Sequence, residues 1–402
     1  MEDEIEVPPY FLCPISLEIM KDPVALSTGI TFDRHSIEKW LFSAKNTTCP
    51  VTKQLLPDTI DLTPNHTLRR LIQAWCTLHA THGIERFPTP KPPATISQIL
   101  KLLDDAKSPH LQLTSLRKLR LLASESDANK RSLEAAGVVD FLASLLKNNT
   151  TTHLDIASDA VTILHNLHVS DSALKNILLK DDVVDSLIVL LQRGSYESRA
   201  YAALLLQSMY EVAEPAQIMG LRKEFFVEIV QLLRDHISQK ASKAALRLLM
   251  ELCPWGRNRI KAADAGAVVV LIELLLHSAL EKRVCEMALV ALDQLCGCAE
   301  GRAELLRHGA GLAVVSKKIL RVSHAGTERA VRVLSSVSKH STNRSVLAEM
   351  LQVGVVAKLC LVLQVDCGNK TKDRAREILK LHARAWKSSP CFPDNLLSSY
   401  PS

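Results

Sequence analysis

A chain of 402 residues with a net charge of +6 is long enough for two domains, and its 47% apolar content can fill a sizeable core. Only 4% of the residues are aromatic, with Leu, Val and Ala dominating, which favours stacked helices over a β-sandwich. The charge is modest and no basic run is interleaved with aromatics, so a nucleic-acid-binding role is set aside.

In chain order, the first readable element is a hairpin over Val24 to Phe32, turning at Thr28-Gly29. Asp33 then offers an N-cap for a helix running through Ile37, Trp40 and Leu41. After a loop, Asn65 caps a second helix. Its Leu68, Leu71, Ile72 and Trp75 fall at i, i+3, i+4 and i+7, one face of a 3.6-residue period. These elements define a small α+β module over residues 7–81. Prolines 88, 90, 92 and 93 mark a semi-rigid spacer inside a linker spanning 82–95.

Residues 96–387 repeat themselves. Aliphatic pairs begin at 102, 145, 190, 232, 274, 319 and 362, in steps of 43, 45, 42, 42, 45 and 43. Eight residues before most pairs stands a glycine: Gly137, Gly266, Gly311 and Gly354. Glycine can take positive φ and end a helix sharply, and the next helix presents an apolar stripe such as Val138, Phe141, Leu142, Leu145 and Leu146. No unit buries that stripe alone, so about six units are predicted to stack into an all-α superhelical solenoid of the armadillo or HEAT period. Asp182 and Glu224 replace the glycine in two units, where the turn is expected to depart from the others. Arg374 to Trp386 reads as a closing helix, and 388–402 as a patternless tail.

The ten cysteines show no pairing, and Met1-Glu2-Asp3-Glu4-Ile5-Glu6 is acidic where a secretory signal needs a basic start. Buried free thiols in a reducing, cytoplasmic setting are expected. The most apolar run, Ala265 to Leu276, carries Glu273 and is too short for a transmembrane segment. A zinc site would need paired ligands, usually C-x2-C. Cys13 is followed three residues later by Ser16, and Cys49, Cys76, His35, His66, His79 and His82 form no paired set, so no metal and no cofactor is expected.

The amino-terminal module carries Cys13-Pro14-Ile15-Ser16, Met20-Lys21-Asp22-Pro23-Val24 and Thr28-Gly29-Ile30-Thr31-Phe32-Asp33-Arg34 in order. Ile37-Glu38-Lys39-Trp40, Cys49-Pro50-Val51-Thr52 and Leu62-Thr63-Pro64-Asn65-His66-Thr67-Leu68-Arg69 follow. This series resembles the U-box, the zinc-free relative of the RING domain. Phrases such as Asn129-Lys130-Arg131-Ser132-Leu133-Glu134-Ala135-Ala136-Gly137 resemble armadillo repeats. Together they are similar to plant U-box ubiquitin ligases with armadillo repeats, closest to a subfamily tied to defence and water-stress signalling.

The resemblance implies a ligase that holds a ubiquitin-charged conjugating enzyme while ubiquitin passes to a substrate lysine. It implies carrier contacts at Ile15, Trp40 and Pro50, an aliphatic, an aromatic and a rigid proline suited to a small transient interface. Lys53 stands near a point where such ligases often place arginine; it offers charge without a planar fork. Ser16, Glu18, Asp33 and Arg34 would join the hydrogen-bond and ion-pair network that replaces zinc, with Cys13 as a packed thiol. No residue of this chain need be catalytic: orientation of an activated thioester suffices, and the solenoid would raise the local concentration of protein substrates.

The resemblance also implies self-ubiquitylation; self-association is a further possibility. The alternatives are a non-catalytic armadillo scaffold, against which the three apolar groove residues argue, and a ligase forming its own thioester on Cys13, which has no adjacent base. The four tryptophans form no ladder at the repeat period, and basic clusters such as Arg257, Arg259 and Lys261 read mostly as solvated helix faces.

Overall fold

The computed structural model describes residues 7–43, 46–57, 62–79, 94–149, 154–167, 169–277, 281–340 and 343–387. The proline-rich spacer and the tail after residue 387 lie outside the described residues. By its contacts the chain divides into two compact units, Met1–Gly137 and Val138–Ser402.

In the first unit, β1 (Pro23–Ala25) and β2 (Thr31–Asp33) pair antiparallel with Val24 opposite Phe32. The turn forms where the sequence places it, with Gly29 at φ 80°. A short β3 (Thr63–Pro64) adds to the other edge of β1, giving the order β2-β1-β3. Helix α1 (Arg34–Glu38) follows β2 and runs on as a wider helical turn over Lys39–Ser43. Helix α2 (His66–Leu78) starts at Asn65, whose side chain accepts from Leu68 N–H at 3.0 Å.

Val24, Phe32, Ile37, Met20 and Ile72 bury together with Phe11 and the thiols of Cys13, Cys49 and Cys76. The apolar face of α2 is rotated slightly from the sequence expectation: Leu71 is 53% exposed and Cys76 is buried in its stead. The unit ends with α3 (Ile96–Asp105), α4 (Pro109–Glu125) and α5 (Asp127–Ala135). A capping box between Thr95 and Gln98 opens α3.

The second unit opens with helices Val138–Asn149 and Leu154–Leu167. Trios then start at Asp171, Pro215, Gly256, Ala299 and Arg344, and Ala383–Trp386 closes the array. The third, longest helices (Leu154–Leu167, Tyr196–Glu211, Gln239–Leu252, Lys282–Leu295, His324–His340 and Asn369–Leu381) each pack on the next. Leu190-Leu191, Leu232-Leu233 and Leu274-Leu275 are buried, as the repeated pairs predict. Repeats also tie to their neighbours: Asn258 Nδ2 donates to Ile218 O at 2.8 Å and Ser336 Oγ to Cys296 O at 2.6 Å.

Gly266 and Gly354 take φ of 86° and 74°, the turn the sequence anticipates. Gly311 does not. It lies inside helix Gly311–Lys318, where a Cβ would strike the Leu305 carbonyl oxygen, so its smallness is required by close approach. Leu320 also departs from its predicted helical pair and sits at φ 58° after that helix. At the two units lacking glycine, Lys180 and Arg222 lead into their helices at negative φ (−93° and −84°). No single described helix is long and apolar enough to cross a membrane.

Candidate functional site

Two loops of the first unit share one construction. In the first, Cys13 N–H donates to Glu18 O at 2.8 Å and Leu17 N–H to Cys13 O at 2.8 Å. In the second, Cys49 N–H donates to Gln54 O at 2.9 Å and Lys53 N–H to Cys49 O at 3.0 Å. Each is flanked by one antiparallel bridge, Leu12 with Ile19 and Thr48 with Leu55. Each begins Cys-Pro, then an aliphatic, then a hydroxyl residue. That echo was readable in the sequence, although the shared geometry was not anticipated.

The thiols brace the loops from within. Cys13 Sγ accepts from Asp33 N–H at 3.3 Å, and Cys49 Sγ from Thr28 Oγ1 at 3.5 Å. Burial pushes the Cys13 thiol up, but the N–H groups of Ser16, Asp33 and Ile15 outweigh it and hold the group below its ordinary value. Burial likewise opposes ionisation of Cys49, yet the hydroxyl and N–H of Thr52 with Thr28 bring it down to about 7. Both sulfurs are fully buried, so they act as acceptors and cannot reach a reaction partner.

Asp22 is the centre of the polar network. Its Oδ2 accepts from Arg34 Nε at 2.7 Å, and its Oδ1 pairs with Arg69 Nη2. Its backbone carbonyl accepts from Arg34 N–H at 2.9 Å. Asp33 Oδ1 in turn accepts from Lys21 and Asp22 N–H at 2.8 and 2.9 Å, and burial holds its carboxyl above the usual range. Asp33 and Arg34 thus meet around Asp22, Asp33 through backbone N–H groups and Arg34 through an ion pair. Ser16 contributes to the Cys13 sulfur, and Glu18 contributes its backbone carbonyl while its side chain is exposed. Asp22 and Arg69 were not singled out by sequence reasoning. The signal for them was two acidic and two basic residues flanking the strands, with no local pattern to pair them.

Trp40 lies just beyond α1, half-buried, with Nε1 donating to Thr48 O at 2.8 Å. That bond ties the indole to the second loop. Lys53 Nζ stands 5.7 Å from the centre of the same ring. The structure thus brings Trp40 and Lys53 together. Pro50 is half-buried on the same loop, and Ile15 is half-buried on the first loop, packed against the module's core. Leu17, Val51 and Leu55 are exposed on the two loops and extend the apolar surface beyond the residues predicted. Among the described residues, no three His, Cys, Asp or Glu side chains converge to hold a metal ion.

Hydrogen-bonded and ion-paired loops around a short helix, followed by stacked helical trios, define a U-box protein with armadillo repeats. The U-box domain model matches residues 7–81, and the model for the plant U-box protein ARM repeat region matches 95–402. The chain is 58% identical to the E3 ubiquitin-protein ligase PUB23 of Arabidopsis thaliana over 407 residues, covering 100% of this chain and 98% of that one. It is 54% identical to PUB22 of the same plant over 435 residues, covering all of both. A solved structure from work on a phosphorylation switch between cadherin and β-catenin aligns at TM-score 0.60 and 17% identity. It covers 79% of this chain and 58% of that one, and shows the fold alone. The chain belongs to the plant U-box family with armadillo repeats and is an E3 ubiquitin ligase, with a conjugating enzyme and ubiquitin as its partners.

Proposed function

We propose that Ile15, Trp40, Pro50 and Lys53 form the surface on which the ubiquitin-charged conjugating enzyme docks. The observation that carries this reading is the tie between Trp40 Nε1 and Thr48 O. It fixes a large, part-exposed aromatic against a loop that also shows Pro50 and Val51. A held aromatic beside a rigid proline loses little entropy on binding and makes an efficient anchor.

The ligase then works by orientation. The carrier's thioester is already activated, and biasing it towards an attack-ready arrangement lowers the barrier without an acid, base or nucleophile on this chain. The burial of Cys13 weighs against a covalent ubiquitin intermediate there. The continuous row of long helices in the second unit supports recruitment of protein substrates to the repeats, raising their local concentration.

Self-ubiquitylation is part of the same reading. Its setting is stress or immune signalling, that of the subfamily the sequence resembles. The nine described cysteines are all free and eight are buried, which supports action in the reducing cytoplasm. The residues 7–81, 82–95, 96–387 and 388–402 serve respectively as ligase module, spacer, substrate-binding array and tail.

A reconstituted ubiquitylation assay tests the docking surface. Ile15→Ala and Trp40→Ala should each cut activity at least about tenfold, the loss of an interface anchor worth over 1 kcal/mol, while circular dichroism stays unchanged. Full activity in both variants would overturn the surface and favour a scaffold role.

A further inference from the structure

Glu38 closes α1 and is 2% exposed, an unusual burial for a carboxylate in so small a module. Within that module its nearest cation is Arg34, 3.8 Å away and already engaged by Asp22. Its hydrogen bond comes from 93 residues further on: Arg131 Nη2, on α5, donates to Glu38 Oε1 at 3.3 Å. Charges around the pair are complementary. Asp127, also on α5, is held below its usual range by its bond to Lys130 and by the nearby charges of His35 and Arg131. Burial pushes Glu38 up against the pull of Arg131 and Arg34.

The same helix anchors the entry to the repeats. Asn129 is buried, and its Oδ1 accepts from Ala94 N–H at 2.8 Å, directly before the Thr95 cap of α3. Thus two residues of α5, two positions apart, hold the start of the repeats and the end of the U-box helix. Glu38 is bound by Arg131 of α5, whereas Trp40, in the wider turn beyond α1, is tied to the second loop through Thr48 O. A grip on Glu38 therefore leaves Trp40 open.

We propose that α5 is a clamp: Arg131, through Glu38, fixes the U-box helix on the first repeat helices so that a docked carrier delivers ubiquitin in a defined direction. Arg131 is a positioning residue in this scheme, and the reading rests on the docking surface proposed above. Removing the grip would leave each domain folded and the carrier still activated, but would let the thioester wander relative to its targets.

The test uses the full-length chain with Arg131→Glu, which sets two carboxylates against each other, and Arg131→Lys, which keeps the charge. Arg131 is itself partly exposed, so neither change buries a new group. Spin labels at Thr77→Cys on α2 and Lys101→Cys on α3, in a Cys298→Ser, Cys391→Ser background, report the geometry by pulsed electron resonance. A single narrow distance distribution is expected with Arg131 and with Arg131→Lys, and a broad one with Arg131→Glu. Self-ubiquitylation should fall about tenfold in Arg131→Glu and recover in Arg131→Lys, while discharge of the charged carrier onto free lysine stays within about twofold, because misplacement penalises directed transfer alone.

A narrow distribution in Arg131→Glu, or undiminished self-ubiquitylation by it, would overturn the clamp. So would loss of discharge confined to Arg131→Glu, which would make Arg131 a support of the module's own fold. Failure of discharge in the unmodified chain would instead sink the docking surface, leaving the distance measurement to judge the clamp.

Discussion

Leu17 and Lys53 adopt the same left-handed backbone conformation, φ 59° and 58°, each four residues after the cysteine that opens its loop. Each N–H returns to the carbonyl of that cysteine. A side-chain-bearing residue there costs about 1–2 kcal/mol, so both turns are held by the hydrogen bonds around them. The two loops are one device used twice, and α1 follows the first and precedes the second in the chain.

This separates the backbone role of Lys53 from its charge. Lys53→Gly relieves the strained conformation and should leave thermal stability unchanged or raised by up to about 1 kcal/mol, yet it removes the ammonium near Trp40. Ligase activity should fall several-fold, and Lys53→Arg, with its planar fork, should exceed the parent. Lys53→Gly with full activity would show that only the shape of the loop matters. Leu17→Val, a β-branched residue at positive φ, should destabilise by about 2 kcal/mol in a denaturant series.

Cys49 gives the module a pH signature. Its thiol sits at about 7 when folded, against an ordinary value of 9.0. A depressed acid makes the folded state bind fewer protons than the unfolded one between those values. Stability from this group is therefore complete above pH 9, declines as pH falls through the window, and is gone below 7. Thiolate absorbance of the native protein should show a step near pH 7 that Cys49→Ala removes. A Cys49→Ala chain retaining that step would assign the thiolate elsewhere.

Asp22 should be the most sensitive polar position of the U-box. Asp22→Ala removes the shared partner of Arg34 and Arg69, both largely buried, leaving Arg34 with Glu38 at 3.8 Å; it is expected to cost about 3 kcal/mol, with Asp22→Asn costing less. A strong chelator should leave the unfolding curve of the parent chain unmoved, because hydrogen bonds and ion pairs brace the loops. Hydrogen exchange over β1 and α1 would read both results, and chelator-induced deprotection there would mean that a metal contributes.

Local signals carried much of this fold in the sequence. The hairpin at Thr28-Gly29, the Asn65 cap and the buried leucine pairs all follow from periodicity and turn chemistry acting over a few residues. Trp40 and Lys53 could be named for the candidate site only through the family resemblance that the motifs in and beside them carry. What stayed hidden is non-local. Asp22 meets Arg69 across 47 residues, and Glu38 meets Arg131 across 93. Charged partners at such separations leave no pattern in one chain, since any of many cations could have served. The left-handed turn at Lys53 was hidden for another reason: lysine has no preference for it, and only the surrounding loop imposes it.

The glycines of the repeats separate two physical demands that look alike in the sequence. Gly266 needs its φ of 86°, so Gly266→Ala should destabilise by about 1–2 kcal/mol through backbone strain alone, there being nothing within 4 Å of the added carbon. Gly301 has an ordinary φ, but a Cβ would press into the Leu295 carbonyl oxygen at the junction of two helices. Backbone cannot yield as a flexible side chain does, so Gly301→Ala should cost about 3 kcal/mol or more and loosen the packing around it. Gly309, two residues before the similarly crowded Gly311, meets nothing within 4 Å and should tolerate alanine at a cost near zero. Thermal unfolding of the three variants should rank them Gly309, Gly266, Gly301. A Gly301→Ala chain as stable as Gly309→Ala would show that the helices can part there freely, and that the close approach is incidental to the stacking of repeats.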